Sequence, residues 1–204
     1  MADLGSTRGR LISEGMRLFA LQGFHATSVG EIEAAAGLQP RRGALYKHFA
    51  TKHTLLEAAV RAHLARAAAG ASEIEAVDFT AIAHADTELL DSILRGLARW
   101  FLDEMDAMED LTLLLEHDRS RLPDLTSEVK RDIVDLSYRT AARLITSVAT
   151  EPVDADALAV ILLGSLVAVR RTTWTFGSPP LGVDDERTIA TWTELALGTF
   201  HRIS

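Results

Sequence analysis

Thr27 to Glu57 reads TSVGEIEAAAGLQPRRGALYKHFATKHTLLE, and its local signals set two short helices at a sharp turn. Ser28 and Glu31 have the spacing of a capping box. In such a box the serine oxygen accepts an orphan amide and the glutamate reaches back to the cap. That predicts a helix from Val29 to about Ala36. Gly37 supplies a left-handed turn, and Leu38 pins it to a core. Pro40 suits the first turn of a third helix, where its missing N–H costs nothing. This helix would carry Arg41, Arg42, Ala44, Leu45 and Tyr46. Thr51 or Thr54 caps a fourth helix, Thr54 making a second box with Glu57. That helix runs through Leu55, Leu56 and Val60 to about Ala69. Upstream, Leu11, Gly15, Leu18 and Phe19 recur at helical spacing and Gly23 ends the run. The candidate core is Leu11, Phe19, Phe24, Ile32, Leu38, Leu45, Phe49 and Leu55.

Beyond residue 69 the chain is also helical in pattern. Residues 70–86 are small and weakly patterned, read as a loop with a frayed helical piece. Thr87 to Met108 carries Leu90, Ile93, Leu94, Leu97, Phe101 and Met105 at three and four spacing. A short apolar helix follows from Leu111 to His117, and Pro123 separates it from an amphipathic one, Leu125 to Val148. Asp154 to Trp174 is apolar on almost all sides. Asp184 to Ile203 carries Ile189, Trp192, Ala196 and Phe200 on one stripe. No segment alternates as a strand does. The expected fold class is all-α: an N-terminal three-helix helix-turn-helix head over residues 1–54, then a larger helical body over 55–204.

Charge separates the two ends. The net formal charge is −8, yet residues 1–69 hold 9 Lys+Arg against 5 Asp+Glu, and residues 70–204 hold 12 against 24. A basic head on an acidic body can approach a polyanion while the body stays off it. Apolar content of 48% is enough for a real core, and there is no cysteine, which excludes disulfides and thiolate metal sites. The N-terminus lacks a signal pattern, and the apolar run Ala155 to Val169 is shorter than the roughly 20 residues of a membrane span. A cytoplasmic protein with no membrane association is expected.

A helix-turn-helix with basic and aromatic residues at its end presents itself to DNA. Phosphate contacts set affinity and position, and base-edge contacts set sequence choice. Thr27 and Ser28 stand where free N–H groups and hydroxyls can receive a phosphate oxygen, or they simply cap the helix. Arg41 and Arg42 near a helix N-terminus oppose its dipole, and a guanidinium aimed at guanine or phosphate explains the placement. Tyr46 stacks on the core with its hydroxyl toward phosphate, while Lys47, His48 and Lys52 clamp the backbone.

These residues resemble the tetracycline-repressor (TetR) family of transcriptional regulators. The family pattern is matched by Thr27-Ser28-Val29, by Ile32 to Gly37-Leu38, by Gly43-Ala44-Leu45-Tyr46-Lys47-His48-Phe49 and by Lys52. The resemblance covers about a quarter of the chain. It implies a homodimeric, ligand-responsive repressor and adds Gln39 and Ala44 to the expected DNA contacts. One departure stands out: about two extra residues separate Gly37 from Tyr46. Family base contacts therefore transfer poorly over Gln39 to Ala44 and better at Tyr46, Lys47, His48 and Lys52, whose mutual spacing is kept.

In the body, an all-round apolar helix must be covered all round. One face of Asp154–Trp174 is expected on its own core and the other on a second subunit, together with the last helix, as a two-fold contact. The resemblance also implies an effector pocket. Its candidate lining is Trp100, Phe101, Met105, Leu113, His117, Tyr138, Leu166, Arg170 and Trp174, which suits a largely apolar or aromatic effector. The expected partners are a double-stranded DNA operator, a small-molecule effector and a second copy. No cofactor, metal or catalytic group is expected, because Glu116-His117-Asp118 does not converge on a helix and the histidines lack metal-ligand spacing. The alternative reading is a helical carrier of small apolar molecules that no longer binds DNA.

Overall fold

The structure is a computed structural model that describes residues 5–75, 82, 85–120 and 122–203. Its described residues are helices and turns, with no strand among them. The helices are α1 (Thr7–Gln22), α2 (Val29–Ala35), α3 (Lys52–Glu75), α4 (Thr87–Ala107), α5 (Glu109–Asp118), α6 (Pro123–Val129), α7 (Asp135–Val148), α8 (Ala155–Phe176) and α9 (Asp185–Ile203). Packing divides the chain into two compact units. One holds residues 1–69 and 108–133, and the other holds 70–107 and 134–204.

The first unit forms where the capping signals place it. Ser6 caps α1 by accepting the Gly9 N–H, and Gly23 closes it at φ 83 with its N–H on the Phe19 carbonyl. Both halves of the Ser28–Glu31 box are made. At the start of α3, Thr51 Oγ1 accepts the Thr54 N–H and Thr54 Oγ1 accepts the Thr51 N–H, so the two threonines cap it together. The core contains Leu11, Phe19, Ile32, Leu45, Phe49 and Leu55, with Phe24 and Leu38 half-buried against it. Each fully buried leucine of this set stabilises by about 1.5–3 kcal/mol relative to exposure. Met108, Leu111, Leu114, Leu122 and Val129 complete the same core from much later in the chain. Among these late elements, α5 packs on α1.

The second unit has its own core of Leu94, Leu102, Ile145, Leu166, Trp192 and Phe200, among others. Within it α8 packs on α7 and α4, and α9 packs on α4. Trp192 donates its indole N–H to the Leu162 carbonyl at 2.8 Å, which ties α9 to α8. The expected stripe Ile189, Trp192, Ala196 and Phe200 is buried throughout.

Three boundaries differ from expectation. The fourth expected helix does not end near Ala69 but continues as α3 to Glu75. Its sequence there, Ala-Gly-Ala-Ser-Glu, holds no proline, and one glycine does not stop a helix. The rest of the expected loop over 70–86 lies largely outside the described residues. The single helix expected over Leu125–Val148 is two α-helices joined by one π turn, Lys130–Val134. A π turn inserts one residue without breaking the run, so the apolar period reads through it. Third, the helix expected from Pro40 is absent, as described next. The functional division at 54/55 is not a packing boundary and returns below as a proposal.

Candidate nucleic-acid interface

Residues 40–44 form a turn instead of the start of a helix, and only one 3-10 turn follows, Leu45–Lys47. Two backbone conformations block a right-handed helix here: Arg41 has φ 62 and Gly43 has φ 71. Glycine adopts a positive φ freely, whereas arginine does so at a cost of order 1 kcal/mol or more. Glu33 fixes the turn. It sits on α2 with no exposed surface. Its Oε2 accepts the Arg41 N–H at 2.7 Å, and its Oε1 accepts the Leu45 N–H at 2.9 Å. The two extra residues of the sequence are thus folded into a loop and not into a longer helix. Arg41, Arg42 and Ala44 accordingly leave the helix on which they were expected, with both arginines exposed and Ala44 half-buried.

Around this turn the head presents a mixed polar edge. Leu45 is fully buried and anchors the 3-10 turn, which leaves Tyr46 58% exposed and Lys47 and His48 exposed. Gln39 is exposed as well. Ser28 lies exposed at the N-terminus of α2, where its hydroxyl accepts the Glu31 N–H at 3.2 Å. The Arg41 stem runs back over α2: a Cβ built on Gly30 would meet Arg41 Cγ at 3.6 Å.

Two residues expected at the surface are turned inward. Thr27 is 1% exposed. Its hydroxyl lies 2.9 Å from the Gly23 carbonyl and 3.2 Å from that of Leu18, and it accepts from Gln22 Nε2 at 3.3 Å. That hydroxyl is therefore a brace between α1 and the loop before α2, and phosphate contact through it is excluded by its burial. Lys52 is half-buried, and its Nζ donates to the Phe24 and Thr27 carbonyls at 2.7 Å each, above the Phe24 ring. Burial lowers its pKa from the ordinary lysine value, while the negative charges of Asp118 and Glu31 act the other way. An ammonium has three donors, so at most one remains for a phosphate.

Sequence reasoning missed Glu33 and Asp118. Asp118, at the end of α5, is 3% exposed and accepts the Phe24 N–H at 2.7 Å. The readable signal for Glu33 is an acid next to Ile32 and one turn from Ala36, on the face that packs inward. Asp118 carries no local signal, because its partner lies 94 residues earlier. Its neighbours Glu116 and His117 are exposed, so the Glu-His-Asp triplet does not converge.

The expected effector lining is distributed between the two units. Leu113 and His117 belong to the first, and Trp100, Phe101, Met105, Tyr138, Leu166, Arg170 and Trp174 to the second. Leu166 is 1% exposed, an interior position of that unit's core. Trp100 is half-buried, its ring 3.1 Å from where a Cβ on Gly70 would stand. Arg170 is buried and already paired: it makes two bonds to Asp185, at 2.7 and 2.8 Å, and its Nε lies 3.0 Å from Asp106. Its guanidinium is thus engaged within the chain, a correction to its place in the expected effector lining. The Asp185 bond raises the arginine's pKa and lowers that of Asp185. A cleft of about 440 Å³ in the head is bounded by Arg10, Ser13, Glu14, Ala35, Ala36 and Gly37, none of them in the expected lining.

By length and composition α8 could cross a membrane, but it carries the buried ion pair of Arg170 and packs on α4 and α7. Val160 and Ile161 on the same helix are 55% and 67% exposed, and Leu195 on α9 is 64% exposed.

No curated relative matches the sequence. Solved structures do resemble it in fold. A protein described as a TetR-family transcriptional regulator from Mesorhizobium loti superposes with a TM-score of 0.64 at 21% identity, over 98% of this chain and 97% of that one. The fatty acid degradation regulator FadR from Bacillus halodurans gives 0.64 at 18% identity, over 95% of each chain. A TetR-like transcriptional regulator from Rhodococcus sp. RHA1 gives 0.62 at 17%, over 96% and 94%. Residues 11–59 match the family model for bacterial regulatory proteins of the tetR family. That segment contains α1 from Leu11, α2, the Arg41–Lys47 turn and the start of α3, and over it the chain is similar to the tetR family of bacterial regulatory proteins.

Proposed function

We propose that this chain is a DNA-binding regulator of the tetR family, a homodimeric repressor released from its operator by a small, largely apolar or aromatic effector. The observation that carries the DNA reading is the exposure of Arg42, Tyr46, Lys47, His48 and the Ser28 cap, all inside the segment that matches the family model. Arg42 and Gln39 reach base edges, Tyr46, Lys47 and His48 hold phosphates, and the N–H groups of Val29 and Gly30 at the start of α2 receive another. Lys52 adds at most one donor and otherwise braces the loop. In this reading residues 1–54 recognise DNA, and residues 55–204 bind the effector and dimerise, in the cytoplasm.

Dimerisation is supported by the apolar side chains that α8 and α9 leave exposed in one chain: Val160, Ile161 and Leu195. A two-fold contact through these helices gives two heads for half-sites about one DNA turn apart. The effector reading rests on the aromatic and apolar side chains Trp100, Phe101, Met105, Tyr138 and Trp174 of the second unit. An effector acts only by preferring a state whose heads no longer match the operator. The test is a mobility shift on a duplex selected from a random pool, repeated with small molecules found by thermal-shift screening. Release of the duplex by such a binder is expected. A binder that leaves operator affinity unchanged contradicts the ligand-responsive reading.

A further inference from the structure

The carboxylate of Glu33 is fully buried in the head. A buried charge is costly unless it is hydrogen-bonded. Here both oxygens are engaged, and both partners are backbone N–H groups of the same short segment, 8 and 12 residues on. Neither partner is a cation. The segment between them, Arg41 to Leu45, holds the positive φ of Arg41 and of Gly43, and it lies within the Gly37–Tyr46 stretch that runs about two residues longer than the family pattern. The carboxylate therefore staples the Arg41–Leu45 turn to α2 at both ends.

We propose that Glu33 is a positioning residue for sequence readout: it presets the Arg41–Ala44 turn so that Arg42 meets base edges without an ordering cost at binding. Two observations carry this beyond a packing role. The turn holds Arg41 in the left-handed region, whose cost must be offset by its surroundings. And what the staple holds in place is exposed and cationic, with no apolar side chain among Arg41, Arg42 and Gly43. The Arg41 stem lies against α2 at Gly30, and Arg42 is exposed in the turn. Preorganising a loop improves selectivity by removing the entropy that ordering would cost. Glu33→Gln is the discriminating change. Its amide keeps one acceptor, and its NH2 faces an N–H donor, so one end of the staple opens while the volume is conserved.

This inference rests on the DNA-binding reading, and the experiment separates the two. The wild-type chain selects a duplex from a random pool, and its Kd for that duplex and for a scrambled one is measured at several salt concentrations. Wild-type binding that shows no selected duplex and no salt dependence sinks the DNA reading itself. Given wild-type selectivity, E33Q is expected to lose at least about tenfold in the selected-to-scrambled ratio. Its affinity for the scrambled duplex and its salt slope are expected to persist, because phosphate contacts are kept. In the E33Q background, Arg42→Ala is expected to reduce the ratio by less than it does in wild type. A selectivity ratio unchanged in E33Q, a loss equal on both duplexes, or full additivity with R42A overturns the proposal. If E33Q does not unfold cooperatively, E33D, which keeps the charge but withdraws it by one methylene, is read by the same ratios.

Discussion

At the scale of single residues, the head is a set of side chains that each satisfy a specific backbone group. Asp118 holds the Phe24 N–H from the end of α5. Asp118→Ala leaves that amide without its acceptor, and a loss of about 1–3 kcal/mol in denaturant unfolding is expected. An unchanged unfolding midpoint would show that the bond contributes nothing. Ser28→Ala removes one half of the capping box and costs about 1 kcal/mol by the same measurement. It tests a second point too: if α2 receives a phosphate through its backbone donors, DNA affinity falls by less than the loss of a charged contact would produce. Thr27 belongs to this scale as well. Thr-Ser at a helix start reads the same whether the threonine faces solvent or core, and only the packing of α1 against that loop decides it. Lys52 is similar: its place at a helix start is legible, but the two carbonyls that bind it come from residues 24 and 27.

At the scale of elements, the caps were legible and the turn was not. Ser28 with Glu31, Gly23 and Gly37 mark their helix ends by chemistry that acts within four residues, and all three ends form as read. Pro40 misled because proline is as acceptable in a turn as in a first helical turn. What decides between them is Glu33, whose two partners no periodicity announces. The same limit explains α5, which completes the head's core although its start, Glu109, lies 57 residues after that of α3, Lys52. Helix packing in the head is also close. A Cβ on Gly15 would stand 2.8 Å from Leu55 Cδ2, and Leu55 is fully buried. Gly15→Val is expected to overpack the α1–α3 contact and to lower stability by about 1–3 kcal/mol in thermal unfolding. A variant as stable as the parent would show that Leu55 has room to move.

At the scale of the whole molecule, electrostatics and self-association make separate predictions. Asp185 is held below its ordinary pKa by the Arg170 guanidinium. Because the folded value lies below the unfolded one, this stabilisation is complete above the unfolded value near ~4 and is lost as pH falls through the lower folded value. Unfolding followed from pH 6 down to pH 2 is expected to show a wild-type loss that Asp185→Asn lacks. Parallel acid profiles for the two proteins would contradict it. If Ile161 lies in a two-fold contact, Ile161→Asp shifts the chain toward monomer in sedimentation and weakens operator binding with it. A wild-type chain that sediments as a monomer at every concentration removes the dimer.

The central claim is that the basic, amino-terminal head grips duplex DNA. Its most direct measurement is the binding of a fluorescent duplex as salt is raised. Neutralising several phosphates makes log affinity fall linearly with log salt, with a slope of about −0.9 per phosphate contacted. The account predicts a steep negative slope for the wild type that becomes shallower by about one contact in Lys47→Ala. A duplex that is not bound at low salt, or one bound with no dependence on salt, contradicts it.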